Sequence, residues 1–226
     1  MVRKIIFIPL GIMLGAAAFG LAYPLLTGLP GSEQNVIPRF AHKWHVGMGA
    51  ENQPTMQYLV RHQDAEFLAE IRFLEQEGDE QKVRLIIDDL KTNGHLDQTL
   101  RLGKAYVFVD VPQDVAPYVD HLDATVFSIR DTVVQDQYLV VGAEWGTTFV
   151  GAFTPKLKLT HYENTEFEFG SLKSFIVSYK FNDIENRLWI VDGLPLPVRA
   201  EYYAVDGSPD YTYDLVRLDG FAPSGN

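Results

Sequence analysis

Two histidines in the segment AHKWHVGMG carry the most specific chemistry that the sequence offers. His42 and His45 are three residues apart, so on a helix their imidazoles could share a metal ion, and Met48 adds a thioether that suits copper. These groups do not complete a coordination sphere, and further imidazoles would have to converge on them from His62, His95, His121 or His161. The sequence therefore predicts either a copper or zinc site at His42 and His45 or a loop with ordinary histidines.

Two other polar groupings have simpler explanations. Ser171 and Lys173, in GSLKS, share one face of a strand and resemble a nucleophile with its base, but two exposed polar residues at a strand start give the same pattern. The acidic segment 75–81 has carboxylates for calcium, yet its spacing does not match a calcium-binding loop. We interpret it as a charged hairpin tip, which discourages edge-to-edge aggregation.

Motifs of the common enzyme classes are missing from the sequence. It contains no Gly-x-Ser-x-Gly elbow, no His-Glu-x-x-His pair, no phosphate-binding loop and no dinucleotide-binding glycine pattern. It also contains no cysteine, which removes disulfides, thiolate metal sites and cysteine nucleophiles. We therefore predict that the chain is not an enzyme and needs no cofactor.

The N-terminal segment predicts where the chain is located. Residues 5–26 are uncharged, and as a helix they would span about 33 Å, close to the thickness of a bilayer's hydrocarbon core. Arg3 and Lys4 precede them, which predicts a single-pass anchor with a cytoplasmic N-terminus and an extracytoplasmic C-terminal domain. The alternatives are a signal peptide cleaved near residues 20–22, which would release the domain, and a helix buried in a protein core.

Composition and charge disfavour two kinds of partner. Hydrophobic residues make up 46% of the 226 residues, enough for a folded core, and the net charge is −11. Residues 28–226 alone carry a net charge of −13, which disfavours both nucleic acids and anionic lipid surfaces.

The sequence predicts an anchor over residues 1–27, a linker over 28–54, a β-rich domain over 55–220 and a tail over 221–226.

Alternating apolar residues predict strands over most of the β-rich domain. Phe67, Ala69, Ile71 and Phe73 alternate with polar positions, and Val83, Leu85 and Ile87 continue the pattern after a turn at Gly78. Similar runs with Asn, Asp and Gly turns follow, so we expect a meandering antiparallel sheet.

The period changes between these strands. Apolar residues recur at spacings of four and three, which predicts one amphipathic helix over about residues 114–132 with Asp114 as its cap. The residues on its apolar stripe are Val115, Val119, Leu122, Val126, Ile129 and Val133. We predict a mainly β (α+β) fold, in which a curved sheet or half-barrel is covered by this helix and preceded by the transmembrane helix.

Aromatic residues concentrate in the last strands, RLWIVDGLPLPVRAEYYAVDGSPDYTYDLVRL. Asp192-Gly193 and Asp206-Gly207 predict turns, and Pro195 and Pro197 belong in a connection because proline cannot donate to a sheet. Tyr202, Tyr203, Tyr211 and Tyr213 lie on the final strands with Trp189 upstream, and Tyr203 is on the opposite strand face from Tyr202. Their aromatic face either packs in the core or is exposed to a partner.

The same C-terminal quarter resembles a known pattern. Six elements look like the closing strands of uncharacterised secreted or membrane-anchored archaeal proteins. They are Gly170-Ser171-Leu172, residues 176–179, residues 188–191, residues 195–200, Tyr202 and Asp206-Gly207. More distantly they resemble the lipoprotein-carrier superfamily of curved half-barrels. The first resemblance implies no activity, and the second implies a concave apolar face that holds acyl chains, a face that the predicted helix would fill.

Two hypotheses follow for the function. The first is a non-catalytic, membrane-anchored extracytoplasmic domain that binds an envelope protein or an apolar ligand, with no ligand-binding residues assigned. The second is a copper- or zinc-handling accessory domain of a membrane complex, which would use His42 and His45.

Overall fold

An eleven-stranded antiparallel sheet dominates the part of the chain that the computed structural model describes, residues 41–133, 135–148 and 154–221. The predicted anchor lies outside the described residues, so its insertion, orientation and cleavage stay predictions. Among the described residues, no helix combines the length and hydrophobicity that a membrane span requires.

The described residues form thirteen strands. Their bounds are β1 Lys43–Trp44, β2 Thr55–His62, β3 Ala65–Glu77, β4 Glu80–Asp89, β5 His95–Leu102, β6 Phe108–Val109, β7 Gln137–Tyr138, β8 Glu144–Thr147, β9 Lys156–Phe167, β10 Gly170–Phe181, β11 Ile184–Ile190, β12 Arg199–Tyr203 and β13 Pro209–Asp219. Helix α1 covers Ala116–Ala124, and short 3-10 turns cover Ala50–Asn52, Lys104–Tyr106 and Ser128–Asp131.

The large sheet is an open meander in which the early strand β2 pairs with the last strand, β13. Its strand order is β6-β5-β4-β3-β2-β13-β12-β11-β10-β9-β8, while β1 and β7 form a separate pair. Strands β2 and β13 therefore pair in the middle, and β6 and β8 lie at the two edges. The chain between β6 and β8 must connect these edges, and α1 lies in this connection. The predicted curved antiparallel sheet with one helix is confirmed.

Hydrophobic alternation sets the buried face as predicted. The seven apolar residues named for β3 and β4 are all at most 1% exposed, and Gly78 makes the turn between the strands. On the opposite face, Arg72 donates to Glu70 and Arg84 forms a two-bond ion pair with Asp97. A one-residue shift of β3 or β4 would move Arg72 or Arg84 to the apolar face, so the alternation fixes the register.

Helix α1 is shorter than predicted, although its buried stripe is correct. All six residues of the predicted stripe are at most 4% exposed, but the helix ends at Ala124. The hydroxyl of Thr125 donates to the carbonyl of His121, and that of Ser128 donates to the carbonyl of Thr125. Such side-chain bonds compete with helical backbone bonds, so the chain continues as turns. Val115 occupies the N-cap position, not Asp114 as predicted.

The aromatic residues of the last strands face the core. Tyr211, Tyr213 and Leu215 are buried, the ring of Tyr202 stacks on Tyr211 at 4.6 Å, and Tyr58 meets Tyr213 edge-on. The predicted turns at residues 192–193 and 206–207 lie between β11 and β12 and between β12 and β13. The exposed alternative is therefore wrong for Tyr202, Tyr211 and Tyr213, whereas Tyr203, on the opposite face of β12, is half-buried.

Residues 41–54, which the sequence assigned to the linker, pack into the domain. Trp44 is fully buried, stacks on Trp145 at 5.8 Å and donates its indole N–H to the carbonyl of Leu194 at 2.8 Å. Gly49, with a φ of 81°, lies so close to Gly193 that a Cβ there would be 2.0 Å from the Gly193 carbonyl oxygen. This segment therefore braces the connection between β11 and β12.

Candidate functional site

Three polar bridges hold the connection that contains α1 against the apolar face of the sheet. Tyr118 donates its hydroxyl to Asp89 of β4 at 2.8 Å, His121 meets His62 of β2 with 2.9 Å between their Nδ1 atoms, and Ser128 lies 3.2 Å from the Tyr211 hydroxyl of β13. Each bridge reaches a different strand, so the connection is attached across the middle of the sheet. It acts as a fixed cover over that face.

The histidine bridge depends on protonation. One imidazole must donate and the other accept across the 2.9 Å contact, which two protonated rings cannot do. Burial and the neighbouring His121 lower the pKa of His62, while Asp210 opposes this shift. Tyr211 meets the His62 ring edge-on, and Phe67 lies beside His121. The neutral form of His62 is therefore the one that fits the folded protein.

We expect the free energy of unfolding to fall as the pH falls below about 6.5, the ordinary pKa of histidine. The folded pKa of His62 is lowered, so between these two pKa values the unfolded chain binds a proton that the folded chain does not. Urea titrations of the full chain in detergent between pH 8 and pH 5 measure this loss. A His62→Asn variant should show a flatter profile, and an unchanged profile would contradict the assignment.

Phenol groups around the cover stay neutral. Burial raises the pKa of Tyr211 and Tyr213 well above the ordinary value, and burial with Asp210 raises the pKa of Tyr179 to about 12. The carboxyl group of Asp89 has a lowered pKa instead. Hydrogen bonds from the backbone of Thr92, the Tyr118 hydroxyl and the backbone of Lys91 stabilise its charged form and lower its pKa to about 2. These groups stabilise the fold, and none is poised to exchange a proton near pH 7.

The predicted metal ligands are each paired with a carboxylate. His42 lies 2.5 Å from Asp192, and His45 lies 3.1 Å from Asp136. No group of three or more His, Asp or Glu side chains in the described ranges is arranged to hold a metal ion. His62 and His121 do converge, but in the bridge to the cover. The copper or zinc site at His42 and His45 stays a prediction.

The other predicted groupings are hairpin residues. In the acidic segment, Glu77 pairs with Lys82 and Glu80 pairs with Arg101 beside the β3–β4 turn, which confirms a charged hairpin tip. Lys173 of the Ser171–Lys173 pair lies with its ammonium over the ring of Tyr162, 5.0 Å from the centroid. The lysine thus contacts an aromatic ring on β9. The prediction that the chain is not an enzyme stays a prediction.

Two small cavities open among the loops. One of about 210 Å³ is lined by His45, Arg130 and Asp136, among others, and one of about 340 Å³ by Gly49, Asp192 and Phe221, among others. Both carry charged or polar groups at their walls, and neither is lined by the helix-covered residues of β2, β3 or β4. They do not provide the concave apolar face that the half-barrel resemblance implies.

The outer side of the β9–β10 hairpin is a surface that sequence reasoning missed. Strand β8 pairs only with residues 156–158 of β9, whereas β9 continues to Phe167. Tyr162, on this extension, is 58% exposed, with its ring centroid 6.2 Å from that of Phe175. The alternation of β9 could indicate a strand, but it could not show which edge of that strand lacks a neighbour.

Comparisons with known proteins give only a weak likeness in fold. No family model and no curated protein matches the chain. The structure of MucB in complex with MucA(peri) matches 77% of this chain and 53% of its own, with 13% identity and a TM-score of 0.42. A MucA/MucB complex from Pseudomonas aeruginosa matches 79% of this chain and 56% of its own, with 14% identity and a TM-score of 0.39.

A third similar structure is an outer membrane lipoprotein-sorting protein domain from Vibrio parahaemolyticus, with 11% identity, a TM-score of 0.20, and coverage of 73% of this chain and 83% of its own. The chain spans about half the length of the MucB chains that it matches. Structural similarity this weak says nothing about the function of the chain. The resemblance to archaeal proteins stays a prediction.

Proposed function

We propose that the chain is a non-catalytic, membrane-anchored extracytoplasmic domain that binds another protein of the cell envelope. One observation carries the proposal: the apolar face of the sheet is filled by the chain's own connection between β6 and β8. Leu122, Val126 and Phe127 of this connection are all fully buried. A domain that has closed its concave face binds through its rim or outer surface.

The closed face weighs against carriage of an apolar ligand. A carrier needs an apolar cavity of several hundred cubic ångströms that can take up most of the ligand. Here that space contains side chains from α1, and three polar bridges attach the connection to β2, β4 and β13. Opening it would expose this apolar surface and break these bridges, a cost that an apolar ligand would have to offset before it could bind.

The anchor belongs to the same proposal. Residues 5–26 have the length and composition of a bilayer-spanning helix, and the charge of −13 on residues 28–226 keeps the domain away from anionic head groups. A tether of this kind raises the effective concentration of the domain around neighbouring membrane proteins. Protein partners in the same membrane therefore fit the chain better than a soluble substrate.

The proposal is tested by purifying the full chain from its native membrane in mild detergent. We expect one envelope protein to co-purify in a fixed ratio, identified by mass spectrometry, and organic extraction to release no acyl lipid in a one-to-one ratio. A one-to-one acyl lipid without a protein partner would contradict the proposal. Purification of the chain alone, with neither, would contradict it as well.

A further inference from the structure

The backbone edge of β9 beyond β8 faces away from the rest of the sheet. We use the name β9 edge for the side of residues 160–167 that points away from β10. Leu159 marks where the neighbouring chain ends, because its N–H bonds to the Ala143 carbonyl and its carbonyl accepts from Gly142. In the described portion of the chain, no strand pairs with the β9 edge after this point.

On the side opposite the β9 edge, β9 pairs with β10. Residues 161–167 pair in continuous register with β10, from His161 opposite Ile176 to Phe167 opposite Gly170. A β-bulge beside Ile176 separates this stretch from the part of β9 that β8 covers. The hairpin thus holds a row of backbone donors and acceptors in extended geometry, where a further strand can pair with them.

Side chains beside the β9 edge supply an anchor for a partner. We define the Tyr162 cluster as Tyr162, Phe175 and Lys173, in which the Lys173 ammonium lies 5.0 Å and 5.8 Å from the two ring centroids. Lys173 forms no ion pair with the acidic residues that the structure describes. The cluster therefore presents two rings and a cation to one side of the β9 edge.

We propose that an extended segment of the partner protein pairs with the β9 edge as an added strand. The inference rests on the proposed function and gives it a docking mode. Backbone bonds to residues 160–167 would supply affinity, and the Tyr162 cluster would select an apolar or aromatic side chain with an Asp or Glu two residues away, on the same face of the added strand. The carboxylate would then form an ion pair with the Lys173 ammonium.

The charges on the strand are consistent with selective addition. Glu163 accepts a hydrogen bond from the Trp189 indole at 3.1 Å, so it lies on the opposite face from the cluster. Glu166 is exposed farther along the strand. These carboxylates would repel acidic segments that lie in the wrong register and would oppose direct pairing of two β9 edges, because like charges would meet.

Twelve-residue peptides from a displayed random library provide the probe, selected on the full chain in detergent. We expect enriched peptides to carry an aromatic or apolar residue and an acidic residue two positions apart. Hydrogen exchange with a selected peptide should slow at residues 160–167. Tyr162→Ala should weaken binding at least tenfold, whereas Tyr138→Ala, a tyrosine outside the large sheet, should not.

Proline substitutions test the backbone contribution. Successive residues of a strand point their N–H groups to opposite edges, so one of Glu163→Pro and Asn164→Pro removes an outward donor and the other removes a bond to β10. We expect one of the two to lose peptide binding while it keeps its melting temperature within a few degrees. Full binding by both variants would overturn the proposal.

Other outcomes would also overturn it. Peptides that protect residues outside 160–167, a library that yields no binders, or a dimer of the full chain that Tyr162→Ala dissociates would each exclude strand addition by a partner. A partner that co-purifies with the chain but leaves residues 160–167 unprotected would leave the proposed function intact and exclude only this docking mode.

Discussion

Replacing Leu122 by alanine should lower the free energy of unfolding by about 2–5 kcal/mol, the range for a large aliphatic side chain removed from a packed core. Leu122 lies in α1, is fully buried, and follows Val119 on the stripe that packs on the sheet. The loss should exceed that of most single changes because the residue belongs to the only α-helix among the described residues. Urea denaturation of the full chain, followed by tryptophan fluorescence, measures it.

Asp120 provides the matched control on the same helix. It is exposed, so Asp120→Ala removes a charge without opening a cavity, and its effect should stay within about 0.5 kcal/mol. Equal stabilities for the Leu122 and Asp120 variants would show that α1 does not pack on the sheet. In that case the apolar face of the sheet would be open and able to take an apolar ligand.

Gly49→Ala should lower the free energy of unfolding by about 3 kcal/mol or more. A Cβ at this position would be 2.0 Å from the Gly193 carbonyl oxygen, which is backbone and cannot rotate away. The φ of 81° adds the strain of a left-handed conformation in a residue with a side chain. The same denaturation measurement gives the loss.

Gly78 separates these two contributions. It also has a positive φ, of 61°, but a Cβ there would meet nothing within 4 Å. Gly78→Ala should therefore lose only about 1 kcal/mol, the cost of the backbone conformation. Comparable losses for the two glycine variants would mean that residues 41–54 do not pack against the β11–β12 connection.

Local patterns predicted the strands and the buried positions well. The alternation of apolar residues in β3 and β4, and the stripe from Val115 to Val133, identified side chains that are almost completely buried. These signals are strong because the sheet and the helix each bury only one face. The polarity of each residue therefore indicates whether its side chain lies on the buried or the exposed face. The turns at Gly78 and Gly193 were equally predictable, because few residues adopt a positive φ.

Pairings distant in sequence could not be predicted. His62 and His121 are 59 residues apart, and the pairing of β2 with β13 spans nearly the whole domain. The end of α1 depends on the hydroxyls of Thr125 and Ser128, whose bonds to the backbone become visible only in the fold. The β9 edge is a property of which strands are neighbours, which the sequence of β9 alone does not contain.

The histidines illustrate the same limit for a functional site. His42 and His45 were predicted as metal ligands because they are close in sequence. In the structure each is paired with a separate carboxylate, His42 with Asp192 and His45 with Asp136. His62 and His121 carry no local signal, yet their imidazoles meet between the sheet and its cover. Spacing predicts shared chemistry only where both residues lie on one regular element.

The central claim is that the cover over the sheet stays closed while a protein partner binds elsewhere. Since the chain has no cysteine, a His62→Cys, His121→Cys variant can be linked specifically with a short bifunctional thiol reagent. We then compare the amount of partner that co-purifies with linked and unlinked protein from native membranes. We expect equal amounts. Loss of the partner only after linking would show that the cover must open for binding, which contradicts a permanently closed cover.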